Sequence, residues 1–420
     1  MLTGERRREI DAVIDRLWAN GLPDLKTVID QICDLLFLRL HDAAAWGRMR
    51  EMAPEVLFTE MRERVFPGLR EGAAMLIGTP ALLVQTMDAI DRLDLADRDL
   101  MGDVYEHLLS KLDASGRNGQ FRTPRHIIRM MTALAAPRPG EHVCDPAMGT
   151  GGFLTAAAAC ASVRLTGLDI DPTMVRLAGM SLRLAGVTDA DLRRCDALEA
   201  DVSPACDLVL ANPPFTGRRD SAAPGLAPAS TKRTELLFLA LILRMLREGG
   251  RCAVIVPDSL LFGTTRAHRL LRERLVTENT LRAVISMPGG VFRPYAGIAT
   301  AVLLFTRGGT TDRVWSYEMH ADGFSLDDRR VPVPEDDIPD ILARFSHLED
   351  ETVRPRTAQS FFVPADEIAA AGYDLSYRRY ARAEAVPQDV PPPAVILAEI
   401  RETERRIAED LAKLEAMLDD

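Results

Sequence analysis

Apolar positions repeat at helical spacing through almost all of the first 115 residues. In DLKTVIDQICDLLFLRLHDA, the side chains of Leu25, Val28, Ile29, Ile32, Leu35, Leu36 and Leu38 follow a 3.6-residue repeat with no glycine to interrupt it. GTPALLVQTMDAIDRLD and DVYEHLLSKLD continue the pattern, so residues 1–115 are expected to form a helical domain without evident chemistry. At GRNGQFRTP the pattern changes. From residue 139 short apolar runs (EHVCDP, RLTGLDI, CDLVLAN, RCAVIVP, RAVISMP, TAVLLFT) read as strands. They alternate with stretches that read as helices: GFLTAAAACA, PTMVRLAGMSLRLAG, TELLFLALILRMLREG and TRAHRLLRERLVTE. This alternation predicts a doubly wound, largely parallel α/β sheet with a ligand site at the carboxyl ends of its strands, occupying residues 116–355. Residues 356–420 are less regular and form a C-terminal extension. Within it VPQDVPPP reads as a semi-rigid spacer, followed by a final helix from about Ala394 to Leu418. Ile396, Ile400, Thr403, Ile407, Leu411, Leu414 and Leu418 are spaced 4-3-4-4-3-4, a seam for a coiled coil or a bundle.

Composition narrows the class. An apolar content of 47% with 27% charged residues over 420 residues describes a folded, soluble chain of two or three domains. A formal net charge of −11 argues against a protein that coats nucleic acid unaided. No apolar run reaches the ~18 residues of a membrane span, and MLTGERRREI lacks the apolar core of a signal peptide, so a cytoplasmic protein is expected. The six cysteines are scattered without a CxxC pair, and are expected to be buried reduced thiols forming neither a disulfide nor a metal site.

The chemistry gathers at the ends of the expected strands. EHVCDPAMGTGGFL runs from a strand through a turn with Gly149, Gly151 and Gly152 into a helix. Such a turn lets backbone approach a ligand, but it lacks the lysine of a phosphate loop and the spacing of a dinucleotide loop, and a tight connection explains it equally well. Asp169 ends the next strand, 20 residues after Gly149, where an acid accepts both hydroxyls of a ribose. Asp171 reads as the start of the following helix. Asp196 ends a short third strand, placed to accept from an adenine amino group or else to cap a helix. LANPPFTG follows the fourth strand. An exocyclic amine of adenine or cytosine is a poor nucleophile because its lone pair is delocalised into the ring. Two acceptors that hold its protons, the side-chain oxygen of Asn212 and the carbonyl of Pro213 held rigid by Pro214, free that pair for attack on a methyl group. Phe215 is then positioned to stack on an extruded base. Arg218, Arg219, Lys232 and Arg233 bracket a Gly/Ala/Pro/Ser-rich loop, where they either grip phosphates or are merely solvated.

With these motifs in place the chain resembles amino-group DNA methyltransferases, and most of all the modification subunit of type I restriction–modification systems. NPPF resembles their catalytic motif, DPAMGTGGFL their S-adenosylmethionine motif and GQFRTPRHIIRMM the segment preceding it; DLLFLRL, DVYEHLL, GGRCAVIVPDSLLFG, AVISMPGGVFRPYAGIATAVLLFTR and GYDLSYRRY extend the likeness over most of the chain. The resemblance implies a Rossmann-like class I methyltransferase domain and a catalytic group of Asn212, Pro213, Pro214 and Phe215. It implies that Gln120, Phe121, Thr123 and Pro124 line the methionine end of S-adenosylmethionine. Asp145, Gly149, Thr150, Gly151, Gly152 and Phe153 belong to the cofactor loop, with Asp169 and Asp196 on the nucleoside. Arg122 departs from the apolar residue usual in relatives. By family habit Asn212 favours adenine N6 over cytosine N4. No segment reads as a groove-entering reader of base sequence, so double-stranded DNA is expected to be recognised through a separate DNA-specificity subunit. A restriction translocase and a second copy of the chain are further expected partners. A glutamine-N5 protein methyltransferase fits the long helical flanks poorly, and a catalytically silent scaffold has no need of both Asn212 and Asp169.

Overall fold

A computed structural model of the chain describes residues 4–69, 73–93, 107, 108, 111, 123–200, 205–215, 217, 218, 231–293, 297–382 and 393–418. Among the N-terminal helices, α1 (Gly4–Ala19), α2 (Leu25–His41) and α3 (Pro80–Arg92) carry the main apolar faces. Helix α2 begins where Asp24 accepts a hydrogen bond from the Thr27 amide at 2.7 Å, and α3 where Thr79 caps and Pro80 supplies a preset φ. Val28, Ile29, Ile32, Leu35 and Leu36 of α2 are buried, as the helical repeat predicts.

The central sheet has nine strands in the order β11-β8-β6-β7-β5-β4-β1-β2-β3. These are β1 (His142–Asp145), β2 (Arg164–Asp169), β3 (Ala190–Arg194), β4 (Cys206–Ala211), β5 (Leu246–Pro257), β6 (Asn279–Met287), β7 (Thr300–Arg307), β8 (Arg313–Glu318) and β11 (Ser360–Pro364); β9 (Asp322–Phe324) and β10 (Pro332–Asp336) form a separate hairpin. Strands β3, β2, β1, β4 and β5 are parallel. Strand order reverses at β1, which places a crevice at the carboxyl ends of β1 and β4. Strand β7 departs from the expected parallel arrangement and runs antiparallel between β5 and β6. Its connection from β6, PGGVFRPYAGIA, has no helical repeat from which to build a crossover, so the chain turns straight back. Strands β8 and β11 widen the sheet and were not anticipated; β11 lies past residue 355.

Helices cover both faces: α4 (Arg125–Ala135), α5 (Gly152–Cys160), α6 (Pro172–Leu184), α7 (Thr234–Met245) and α8 (Arg266–Thr277). Alternation along β4 sends Leu208 and Leu210 to the side of α4 and α5, and Val209 and Ala211 to the side of α7 and α8. Helix α7 is shorter than its apolar run suggests. The Arg307 guanidinium donates to the carbonyls of Leu243 (2.7 Å) and Arg244 (3.2 Å), satisfying its last turn, and Leu246 turns extended into β5.

Helix α6 also belongs to the N-terminal helices. Its Met174, Leu177 and Met180 share one apolar cluster with α1, α2 and α3. Lys26 on α2 meets Asp171 at 3.0 Å, and Arg176 on α6 pairs with Asp30 and, at 3.7 Å, with Asp34.

The cysteine expectation is corrected. Cys144 and Cys206, on the adjacent strands β1 and β4, form a disulfide. A separation of 62 residues hid this, because only the strand order makes the two neighbours. His142 Nε2 lies 3.5 Å from Cys144 Sγ, and the three ligand-type atoms of His142, Cys144 and Cys206 are within 4.8 Å of one another. Cys33 and Cys252 are buried free thiols.

The chain divides into two compact units, Met1–Ala381 and Arg382–Asp420. The second contains α9 (Pro393–Leu418), on which Ile400, Ile407 and Leu411 are exposed. No described helix is long and apolar enough to cross a membrane.

Candidate active site

A cavity of about 280 Å3 opens at the carboxyl ends of β1, β2, β3 and β4. Of the residues anticipated from sequence, it brings together Gly149, Asp169, Asp196, Asn212, Pro213 and Pro214. Ile170, Cys195, Leu198, Thr234 and Phe238 complete much of its wall. Gln120 and Phe121 lie outside the described residues, as does Arg219.

The turn after β1 holds the acid of β2. The Gly149 amide donates to Asp169 Oδ2 at 3.0 Å and the Asp171 amide to Asp169 Oδ1 at 2.8 Å. Each carboxylate oxygen retains a lone pair, as a diol needs. Burial raises the Asp169 carboxyl above its usual range, against the pull of those amides. Gly149 has φ +52° and nothing near its absent side chain, so it leaves the cavity clear. The other two glycines have a different use. A Cβ on Gly151 would meet Ala178 Cβ at 3.0 Å, and one on Gly152 would meet Ile128 Cδ1 at 2.7 Å, so both serve helix packing. Phe153 is likewise buried in the core. Thr150 does not line the cavity.

Asp171 caps α6 through the Thr173 amide at 2.8 Å, as its position suggests. Its burial works upward on the carboxyl, but the hydrogen bonds from Lys26 and Thr173, together with the Lys26 charge, hold the group below its usual range. Asp196 lines the cavity and accepts from the Leu198 amide at 2.9 Å, closing a turn rather than capping a helix.

Asp145 is fully buried behind the turn and accepts from the Ala147 amide at 3.0 Å. Burial, with the Asp169 carboxyl adding to it, pushes Asp145 up to about 8. The folded chain therefore keeps a proton that the unfolded chain releases above about pH 4. Stability from this group is complete below that pH and is lost as pH rises towards about 8. Relative to Asp145→Asn, which keeps the Ala147 contact without the charge, unfolding free energy should fall by up to about 1.4 kcal/mol per pH unit across this window. Denaturant titrations of both proteins at several pH values check this; parallel curves would show an Asp145 that is ionised in the fold.

Asn212 follows directly on β4. Its Nδ2 donates to Thr123 Oγ1 at 2.9 Å, while its Oδ1 is buried with no hydrogen-bond partner among the described residues. A buried acceptor without a partner is costly and rare. Pro213 is buried and Pro214 exposed. Phe215 does not line the cavity. Only 4% exposed, its ring packs edge-on against Phe292 at 5.6 Å, so its expected stacking face is turned into the core. Thr123 and Pro124 lead into α4, and Pro124 is its cap residue. Arg218 and Arg233 pair as an antiparallel bridge at the base of the loop that follows.

Sequence reasoning missed the apolar wall. Ile170 is 65% exposed between two acids. An apolar run that continues one residue past its terminal acid was a readable sign of a ligand-facing side chain. Phe238 carried no such sign, because it sits within a helix that is apolar all round.

The donor set suits a nucleoside: paired carboxylates for a diol and an amine, an exposed isoleucine for a base, and a glycine opening between them. Asp169→Ala removes charge-assisted hydrogen bonds worth about 1.5–3 kcal/mol each, so affinity for S-adenosylmethionine should fall at least about tenfold by calorimetry. An unchanged dissociation constant would place the ribose elsewhere.

A doubly wound sheet with this crevice, and an asparagine directly after its fourth strand, is the fold of a class I S-adenosylmethionine-dependent methyltransferase. The chain belongs to the N-6 DNA methylase family, whose model matches residues 96–389, and it is a DNA (adenine-N6) methyltransferase. It is 30% identical over 360 residues to the type I restriction enzyme EcoEI methylase subunit of Escherichia coli, covering 78% of this chain and 71% of that one. It is 29% identical over 330 residues to the EcoKI methylase subunit of E. coli strain K12, covering 69% of this chain and 61% of that one. Among solved structures, a chain from a study of complex assembly and conformational transition of the type I R-M system matches with a TM-score of 0.74 and 26% identity, over 99% of this chain and 98% of that one. A modification subunit of a type I restriction enzyme from Vibrio vulnificus YJ016 shares the fold, with a TM-score of 0.71 at 23% identity over 89% and 97% of the two chains.

Proposed function

We propose that the chain is the modification subunit of a type I restriction–modification assembly. It methylates N6 of an adenine extruded from double-stranded DNA, with S-adenosylmethionine as donor and a separate DNA-specificity subunit reading the target. The observation that carries this reading is the buried, unpartnered Oδ1 of Asn212 at the edge of the cavity. Asp169 and Asp196 hold the nucleoside end of the cofactor, and the Asp145 turn holds its amino-acid end. The bound cofactor supplies an electrophilic methyl group. Asn212 Oδ1 and the Pro213 carbonyl accept hydrogen bonds from the two N–H groups of the target amine, turning its lone pair out of the ring. As the N–C bond forms the methyl–sulfur bond breaks, S-adenosylhomocysteine leaves, and the surplus amine proton passes to solvent. Positioning and local electrostatics carry the rate, and no strong base is required.

The partner assignment rests on charge and reach. A chain with net charge −11 gains affinity for DNA from another subunit, which also supplies the choice of sequence. The basic residues Arg218, Lys232 and Arg233 at the loop base then contact phosphates beside the site. A restriction translocase and a second copy of this chain complete the assembly. The test is methyl transfer from tritiated cofactor to duplex DNA by the chain with its specificity subunit, followed by digestion to nucleosides. Label in N6-methyl-2′-deoxyadenosine is expected; label in N4-methyl-2′-deoxycytidine, or in protein, would overturn the reading.

A further inference from the structure

Asparagine presents an acceptor at one end of its amide and a donor at the other, and the two ends have nearly the same shape. Only hydrogen bonding decides which end faces the cavity. With Oδ1 inward, the amide receives a proton of the target amine. Turned over, it sets donor against donor and the amine keeps its lone pair in the ring. A residue that holds the amide in place therefore controls the reaction without touching the substrate.

We infer that Thr123 is that positioning residue: its hydroxyl pairs with the Asn212 amide through Nδ2 and holds that side chain at the edge of the cavity. This rests on the function proposed above. The contact is 2.9 Å long, Thr123 is 93% buried, and the two residues are 89 positions apart, so the pairing is made by the fold. Thr123 is also held in place. It precedes α4, whose Ile127, Met130 and Met131 are fully buried. At one end of α4, His126 hydrogen-bonds buried Asp322 at 2.8 Å and stacks on Phe324 with ring centres 4.7 Å apart. At the other end, Arg251 donates to the carbonyls of Ala135 (3.2 Å) and Ala136 (3.0 Å). Thr123 lies one residue before the cap Pro124, so a helix pinned at both ends anchors its backbone at close range. This differs from a role on the methionine end of the cofactor: Thr123 is not part of the cavity wall, and its side chain meets Asn212.

The two roles separate in kinetics. Thr123→Val keeps the shape and removes the hydroxyl, and Thr123→Ala is a second removal that relieves any misfit. In the chain assembled with its specificity subunit, each should lower kcat at saturating cofactor and DNA by about ten- to a hundredfold, the scale of a misplaced catalytic group. Cofactor affinity by calorimetry should change less than about threefold, and Thr123→Ser should restore kcat. Selective 15N-asparagine labelling gives a readout without turnover: the Asn212 side-chain NH2 exchanges slowly in the parent and in Thr123→Ser, and rapidly in Thr123→Val. Normal kcat with weakened cofactor binding would make Thr123 a cofactor contact and overturn the inference. So would an unaltered Asn212 NH2 in the valine and alanine variants. Asn212→Ala, run alongside, judges the proposed function itself, since transfer by that variant would sink it whatever Thr123 does.

Discussion

Asn212→Ala should leave cofactor binding close to normal and lower methyl transfer by at least about a hundredfold, the scale on which preorganised transition-state contacts act. In the proposed site the cofactor sits against Asp169 and the turn after β1, which are fixed by the Gly149 and Asp171 amides rather than by Asn212. What the substitution removes is the buried acceptor that has no other partner. Loss of a contact made mainly in the transition state lowers kcat while leaving ground-state affinity alone. Calorimetry with S-adenosylmethionine, paired with tritiated-methyl transfer, reads both quantities. A variant retaining near-parental transfer would remove Asn212 from the chemistry.

Deleting residues 392–420 should leave the catalytic unit folded and able to bind cofactor while abolishing assembly with the specificity subunit. The helix it removes lies in its own compact unit. It exposes Ile400, Ile407 and Leu411 on the seam predicted from spacing, and Val395 and Leu397 nearby. Exposed apolar side chains in a helical row suit a partner's helices. Two such anchors at about 2 kcal/mol each would already weaken association more than a hundredfold. Co-purification of truncated and full-length chains with the subunit, scored beside thermal melting, checks the outcome. Continued co-purification would move the docking surface elsewhere.

Much of the site was legible because its chemistry lies at strand ends, and strand ends are marked in sequence. Asp169 closes an apolar run, and Asn212 stands where another meets two prolines. The architecture of β1 to β6 followed from alternation of strand and helix. What escaped depends on tertiary neighbours. The antiparallel β7 reads like any other apolar strand, and direction is set by the connection before it. The short β8 and β11 find their places only because a sheet edge is available. Cys144 and Cys206 are brought together by the order of β1 and β4, which no local pattern encodes. The glycines of the cofactor turn were recognised for a single reason and proved to have two, since Gly151 and Gly152 yield to Ala178 and Ile128 rather than to a ligand. Phe215 was read from its motif, while its orientation is decided by Phe292.

The sharing of α6 between the sheet and the N-terminal helices bears on how the molecule can be cut. A fragment starting at residue 116 would retain every strand, but it would bring Met174, Leu177 and Met180 to the surface as a sticky patch. It would also strip Lys26 from Asp171, whose amide steadies Asp169. The change of pattern at GRNGQFRTP is thus a seam in the text of the sequence and a poor place for scissors. Whatever tilts the helical bundle pulls on the same thread that ends at Asp169.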